Sequence, residues 1–113
     1  MIVEYIRYRV EEGAAGALER AYASARTALD ASAHCLGYEL SRCVEEPSHY
    51  ILRIEWDSLT GHLEGFRRSP EFGAFFRDVR PFVGNIEEMR HYEVTAIRRR
   101  AGAAPVTFGE SGE

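Results

Sequence analysis

The sequence predicts an α+β domain with four strands and two helices in the order β-α-β-β-α-β. Three observations predict it. Strand-like runs occupy 2–10, 38–44, 50–56 and 89–97, and in most of them side chains alternate between two faces. Apolar residues recur every three or four positions through 14–32 and again through 59–79. The chain has 113 residues and is 45% hydrophobic, enough for one core and too short for two.

In the first strand, Ile2, Ile6 and Val10 share a face with Glu4 and Tyr8, while Val3, Tyr5, Arg7 and Arg9 take the other. Both faces are mixed, so both are expected to be partly buried. Glu11-Glu12-Gly13 is a turn. The first helix, about Ala14 to Ser32, carries Leu18, Ala21, Tyr22, Ala25 and Leu29 as its buried stripe. His34 to Gly37 reads as a loop. The second strand, 38–44, puts Tyr38, Leu40, Arg42 and Val44 on one side, and Glu45-Glu46-Pro47-Ser48 turns the chain.

The densest stretch is YILRIEWDSLTGHLEGFRRSPEFGAFFRDVR, Tyr50 to Arg80, with the single tryptophan and four of the six phenylalanines. Tyr50, Leu52, Ile54 and Trp56 form one strand face. Asp57 or Ser58 is placed to cap the next helix, because a short side-chain oxygen accepts from its free N–H groups. Ser69-Pro70-Glu71 restarts the helix: Ser caps, Pro fits the first turn and Glu suits its positive end. Phe72, Phe75, Phe76 and Val79 make an apolar stripe, and Pro81 ends it for want of an N–H. Residues 82–88 read as a connection, and Met89 to Ile97 as the fourth strand. The domain is therefore taken as 1–97. Residues 98–113 are read as a mobile tail whose Arg98–Arg100 run is either an anion patch or a solvated strand end.

This order is the ferredoxin-like split unit, with two helices over one face of a four-stranded antiparallel sheet. The other face, expected to carry Ile, Tyr and Leu, needs a cover. A second copy, sheet against sheet, supplies one.

Composition excludes several classes. The net charge of −4, with Glu4, Glu39, Glu55 and Glu93 on the strands, argues against nucleic acid. All 14 basic residues are arginine, which excludes a lysine Schiff base or a phosphate-loop lysine. Cys35 and Cys43, if held in one extended segment, have Cα atoms on the order of 25 Å apart. A disulfide needs roughly 4.4–6.8 Å, so two free thiols and a cytoplasmic setting are expected. No signal-peptide layout or membrane-length apolar run is present. His34, His49 and His91 lie in separate segments without metal-site spacing, so no structural metal is expected. A Cys–His nucleophile has no sequence support.

IVEYIRYRV in the first strand, IEW at the end of the third, and HLEGFRRSPEFGAFF together resemble the antibiotic biosynthesis monooxygenase family, over roughly residues 2–97. The resemblance implies a dimeric α+β barrel, a homodimer formed through the sheets. It also implies a cofactor-independent monooxygenase acting on a small aromatic or quinol-type molecule, with no metal or flavin. A deprotonated phenol or enol can itself pass an electron to dioxygen. The protein then supplies a base, an oxyanion stabiliser and an apolar slot.

His62 is the candidate base, since a helix N-terminus keeps imidazole neutral; a half-exposed packing histidine is the alternative. Tyr5, Tyr38 and Arg53 are candidates to polarise the substrate oxygen, as is Arg7, against ordinary half-buried tyrosines and surface ion pairs. Trp56, Phe66, Phe72 and Phe76, with Phe75, are candidate pocket walls, against a plain core. Haem-degrading relatives use an Asn, a Trp and a His that align with Tyr5, Phe66 and Phe76. All three differ here, so that activity is not expected. A non-catalytic ligand-binding or structural dimer is the remaining alternative.

Overall fold

In the computed structural model the described residues are 1–99. Strand β1 spans Ile2–Arg9, helix α1 Ala15–Ala31, β2 Cys35–Arg42, β3 His49–Trp56, helix α2 Pro70–Val79 and β4 Ile86–Glu93. A π-helical segment, Gly61–Phe66, precedes α2, and a 3₁₀ segment, Arg80–Asn85, follows it. The sheet is antiparallel in the order β2-β3-β1-β4, the ferredoxin-like arrangement predicted above.

Pairing registers settle which strand faces meet the helices. Ile2, Glu4, Ile6 and Tyr8 stand opposite Trp56, Ile54, Leu52 and Tyr50. These side chains, all but Ile2 fully buried, face the helix layer. On α1 the buried stripe is Leu18, Tyr22, Ala25, Ala28 and Leu29; Ala28 joins it and Ala21 is only half-buried. The small residues of the stripe let α1 lie close to the sheet and to α2. At the start of α1, Gly13 takes φ +89°, a left-handed conformation that only glycine adopts freely.

Three boundaries differ from expectation. Strand β2 begins at Cys35, because Cys35 pairs with Trp56 through a register shift before Gly37. It ends at Arg42, leaving Val44 exposed outside the sheet. Strand β4 begins at Ile86, which pairs with Tyr8, and stops at Glu93. The partner strand decides these ends; local pattern does not. Leu40 and Leu52 both lie on the helix side. The far face carries Val3, Tyr5, Ile51 and Tyr92 among Arg7, Arg53, Glu88 and Arg90.

Ser58 caps the second helical region as expected, its Oγ accepting from the Gly61 N–H at 2.8 Å. Ser69 does not cap α2. Its hydroxyl donates backward to the Phe66 carbonyl at 2.7 Å, closing the preceding turn, while Pro70 and Glu71 occupy the first turn as predicted. The expected tail falls mostly outside the described residues; Arg98 and Arg99 are exposed. Both cysteines are free thiols. Among the described residues, no helix is long and apolar enough to cross a membrane.

The π-helical segment lies tight against His34, whose Nδ1 is 2.9 Å from Asp57 Oδ2. A Cβ on Gly65 would come within 2.4 Å of the His34 ring, and one on Gly61 within 2.1 Å of Asp57. Alanine would gain about 1 kcal/mol of helix propensity at position 65, but the overlap forces His34 off Asp57. Gly65→Ala is therefore expected to displace His34 from Asp57 with a net stability change of no more than about 1 kcal/mol, because the pair is exposed and the propensity gain offsets its loss; an unchanged His34 ring environment by NMR would contradict the close approach.

Candidate functional site

Between the sheet and the second helical region lies a cavity of about 190 Å³. Its walls are apolar: Ile6, Ile54, Phe66, Phe72, Phe75 and Val79 among others. Phe76, Val83 and Met89 stand 40–45% exposed at its margin, so the slot reaches solvent there. A larger hollow of about 720 Å³ at the Gly13 turn is walled by turn residues, including Glu11, Glu12, Pro47 and Ser48. None of those side chains is a buried polar group.

Trp56, wholly buried, ends β3 at one end of the slot. Its indole stacks on His62 with ring centres 4.4 Å apart and 12° between planes, and it lies 5.1 Å from Phe66. The indole N–H donates to Glu4 Oε1 at 3.1 Å. Glu4 lies on β1 directly opposite His91 on β4. The π-helical segment brings His62 over both. His62 Nε2 is 3.5 Å from Glu4 Oε1, and His62 Nδ1 is 2.8 Å from His91 Nε2. His91 Nε2 is 3.9 Å from Glu4 Oε2.

Burial dominates the electrostatics of this cluster. It raises the Glu4 carboxyl above its ordinary range, opposed by the Trp56 hydrogen bond and by Arg67. Burial lowers His62 to about 4, with His91 and Arg67 adding repulsion. Burial and Arg67 also lower His91. Both rings are thus neutral at pH 7. The wider π-helical turn carries this geometry, with the Arg67 N–H bonding the His62 carbonyl five residues back.

Farther along the slot, the buried hydroxyls of Tyr8 and Tyr22 hydrogen-bond to one another. Burial raises both above the ordinary phenol value, so both remain protonated donors. One O–H serves the pair and the other is left to donate elsewhere. Arg67, packed on Phe72, is the cationic side chain on the cavity lining.

The residues singled out from sequence separate into two groups. Trp56, His62, Phe66, Phe72, Phe75 and Phe76 line the one cavity. Tyr5, Arg53 and Arg7 lie on the far face of the sheet. There Arg53 bonds Tyr5 and Glu55, and Arg7 bonds Glu88. Tyr38 faces α1 at the other side of the sheet, donating to Asp30 and accepting from Arg26. None of these four reaches the cavity. Sequence reasoning missed Glu4, Tyr8, Tyr22, Arg67 and His91. One signal was present: Glu4 interrupts the otherwise apolar and aromatic face Ile2-Ile6-Tyr8-Val10. His34 and His49 pair with exposed carboxylates, Asp57 and Glu46, away from the cluster. Burial raises the Cys35 thiol, away from thiolate chemistry.

The sequence model of the antibiotic biosynthesis monooxygenases matches residues 1–78, more than half of the chain. The chain belongs to the antibiotic biosynthesis monooxygenase family. An uncharacterised Bacillus subtilis protein, YczJ, is 28% identical over 93 residues, covering 82% of this chain and 98% of its own. A Bordetella bronchiseptica structure assigned to the same family superposes with a TM-score of 0.68 at 25% identity, covering 83% of this chain and 96% of that one. A conserved Methanosarcina mazei protein has a TM-score of 0.69 at 16% identity, covering 83% and 92%, which supports the fold alone. The family match ends inside α2. Within the family's span lie Glu4, Trp56, His62 and the phenylalanines, whereas His91 lies beyond it.

Proposed function

We propose that this protein is a monooxygenase of a small aromatic or quinol-type molecule, with the reducing electrons supplied by the substrate's own conjugate base. The observation that carries the reading is a narrow apolar slot with Glu4 and His62 at one end and the Tyr8–Tyr22 hydroxyl pair farther along it. At about 190 Å³ the slot is below the roughly 300–1,000 Å³ of drug-sized pockets. It suits a flat molecule of one to three fused rings and does not suit haem. Trp56, Phe66, Phe72 and Phe76 are the walls. His62 is the base. Its neutral ring accepts the phenolic proton, and Glu4 beside it favours the resulting imidazolium. The Arg67 guanidinium stabilises the developing oxyanion, the part assigned from sequence to Tyr5, Tyr38 and Arg53, and a free O–H of the Tyr8–Tyr22 pair holds a second substrate oxygen farther along the slot. Walls of this kind exclude water from the anion once it forms.

The test is oxygen uptake by chelator-treated protein against a panel of hydroquinones and anthrones, with no metal or flavin added. Turnover of at least one member is expected. Uptake no faster than that of buffer across the panel removes the oxygenase reading and leaves a ligand-binding member of the family.

The working unit is a homodimer closed through the far face of the sheet. Ile51 and Tyr92, 41% and 48% exposed, stand on that face, with the Tyr92 ring packed edge-on against Tyr5. Light scattering at micromolar concentration is expected to give twice the chain mass, and Ile51→Glu to give the monomer. A wild-type monomer would refute the pairing.

A further inference from the structure

We propose that Glu4, His62 and His91 bind one divalent first-row transition-metal ion at the polar end of the slot. Each residue offers one ligand atom, and the three atoms lie within 4.8 Å of one another. An ion bound at about 2.0–2.1 Å to imidazole nitrogen and carboxylate oxygen sets tetrahedral ligands roughly 3.3 Å apart. The contacts of 2.8, 3.5 and 3.9 Å run through both nitrogens of His62 and both oxygens of Glu4, so they put the three side chains within reach of one centre. Small side-chain rotations that turn one His62 nitrogen toward the common centre complete the set. Two imidazoles and one carboxylate, with no thiolate, suit Fe²⁺, Mn²⁺, Co²⁺ or Zn²⁺.

A second observation points the same way. Glu4 is 2% exposed, and the Trp56 N–H is the one hydrogen bond its carboxylate receives among the described residues. Its contacts to the histidines, at 3.5 and 3.9 Å, are too long to be good hydrogen bonds. Buried carboxylates are normally paired or coordinated to a metal. The indole donor holds Oε1 and leaves Oε2 toward His91, the arrangement in which an outer hydrogen bond fixes a metal-binding carboxylate. Two of the ligands sit on adjacent strands in direct register, which fixes their backbones before any ion arrives. Three protein ligands leave a coordination position open toward the slot. Arg67 repels a cation there and sets a limit on affinity.

This goes beyond the oxygenase reading, because a bound cation takes the His62 lone pair that would otherwise accept a substrate proton. The two are tested separately. Chelator-treated full-length protein is titrated with Co²⁺ and followed by visible absorption and equilibrium dialysis. One ion per chain, a d–d spectrum of nitrogen and oxygen ligation, and displacement by Zn²⁺ are expected. Zn²⁺ is also expected to raise Tm. His91→Ala and Glu4→Gln should lose the spectrum and the Tm shift, and Trp56→Phe should weaken binding by about 10–100-fold. His91 is only half-buried on an edge strand, so its variant keeps the fold, verified by circular dichroism, and decides the matter if Glu4→Gln does not fold. Absence of a spectrum and of a Tm shift at equimolar ion overturns the proposal. So does binding that survives in His91→Ala. Oxygen uptake by the metal-free protein is unaffected by either result and reports on the oxygenase reading alone.

Discussion

His62→Ala is expected to lower oxygen uptake with the best hydroquinone or anthrone substrate by about 10²–10⁴-fold, the range that a positioned general base supplies. The ring is 3% exposed, is stacked on Trp56, and presents its Nε2 to Glu4. Burial is the main reason that it is a weak base, held near 4. Removing a proton from a bound phenol places an anion in the same apolar space. That anion and Glu4 together compensate the imidazolium, so the ring becomes a stronger base when it is needed. Alanine abolishes this and also opens a void beside the indole. His62→Gln retains most of the volume without a basic nitrogen, and separates the two effects. Both variants should be slow if the ring moves the proton. Normal turnover in the glutamine variant would take His62 out of the chemistry.

Trp56→Ala is expected to cost about 3–5 kcal/mol of stability, the usual range for deleting a buried aromatic side chain. The indole is fully buried and is wedged between the His62 and Phe66 rings. Little around it can collapse, since its strand neighbours are paired on both sides with β1 and β2. Trp56→Phe keeps most of the apolar contact but removes the donor to Glu4. That leaves a buried carboxylate without its hydrogen bond, and a loss of about 1–3 kcal/mol is expected. Urea unfolding measures both. A cost under about 1 kcal/mol for the alanine variant would mean that the site relaxes, contrary to the packing described here.

Trp56 has a functional reading and a structural one, and the geometry supports both. Its ring face meets His62 in the wall, while its N–H orients the carboxylate. The two substitutions separate these roles: phenylalanine is expected to preserve most of the wall, while alanine removes wall and donor together.

Local chemistry was enough to read the element order. Alternation in β1 and β3, the Ser58 cap, the Pro70-Glu71 start of α2 and the phenylalanine stripe are each decided by neighbours a few residues away. The wall residues were legible for the same reason, because they fall on the apolar sides of β3 and α2. The polar end of the slot was not. Glu4 and His91 meet because β4 pairs with β1, and His62 joins them because a π-helical turn carries it over both. Alternation divides β1 into two mixed faces but does not say which one the helices cover. Pairing with β3 decides that even-numbered residues face inward, so Tyr5 and Arg53 stand on the opposite side of the sheet from His62. The sequence by itself determined the topology and the greasy side of the slot, because periodicity is a short-range property. Only the tertiary structure decided which charged groups share that slot, because strand order and register bring together residues far apart in the chain.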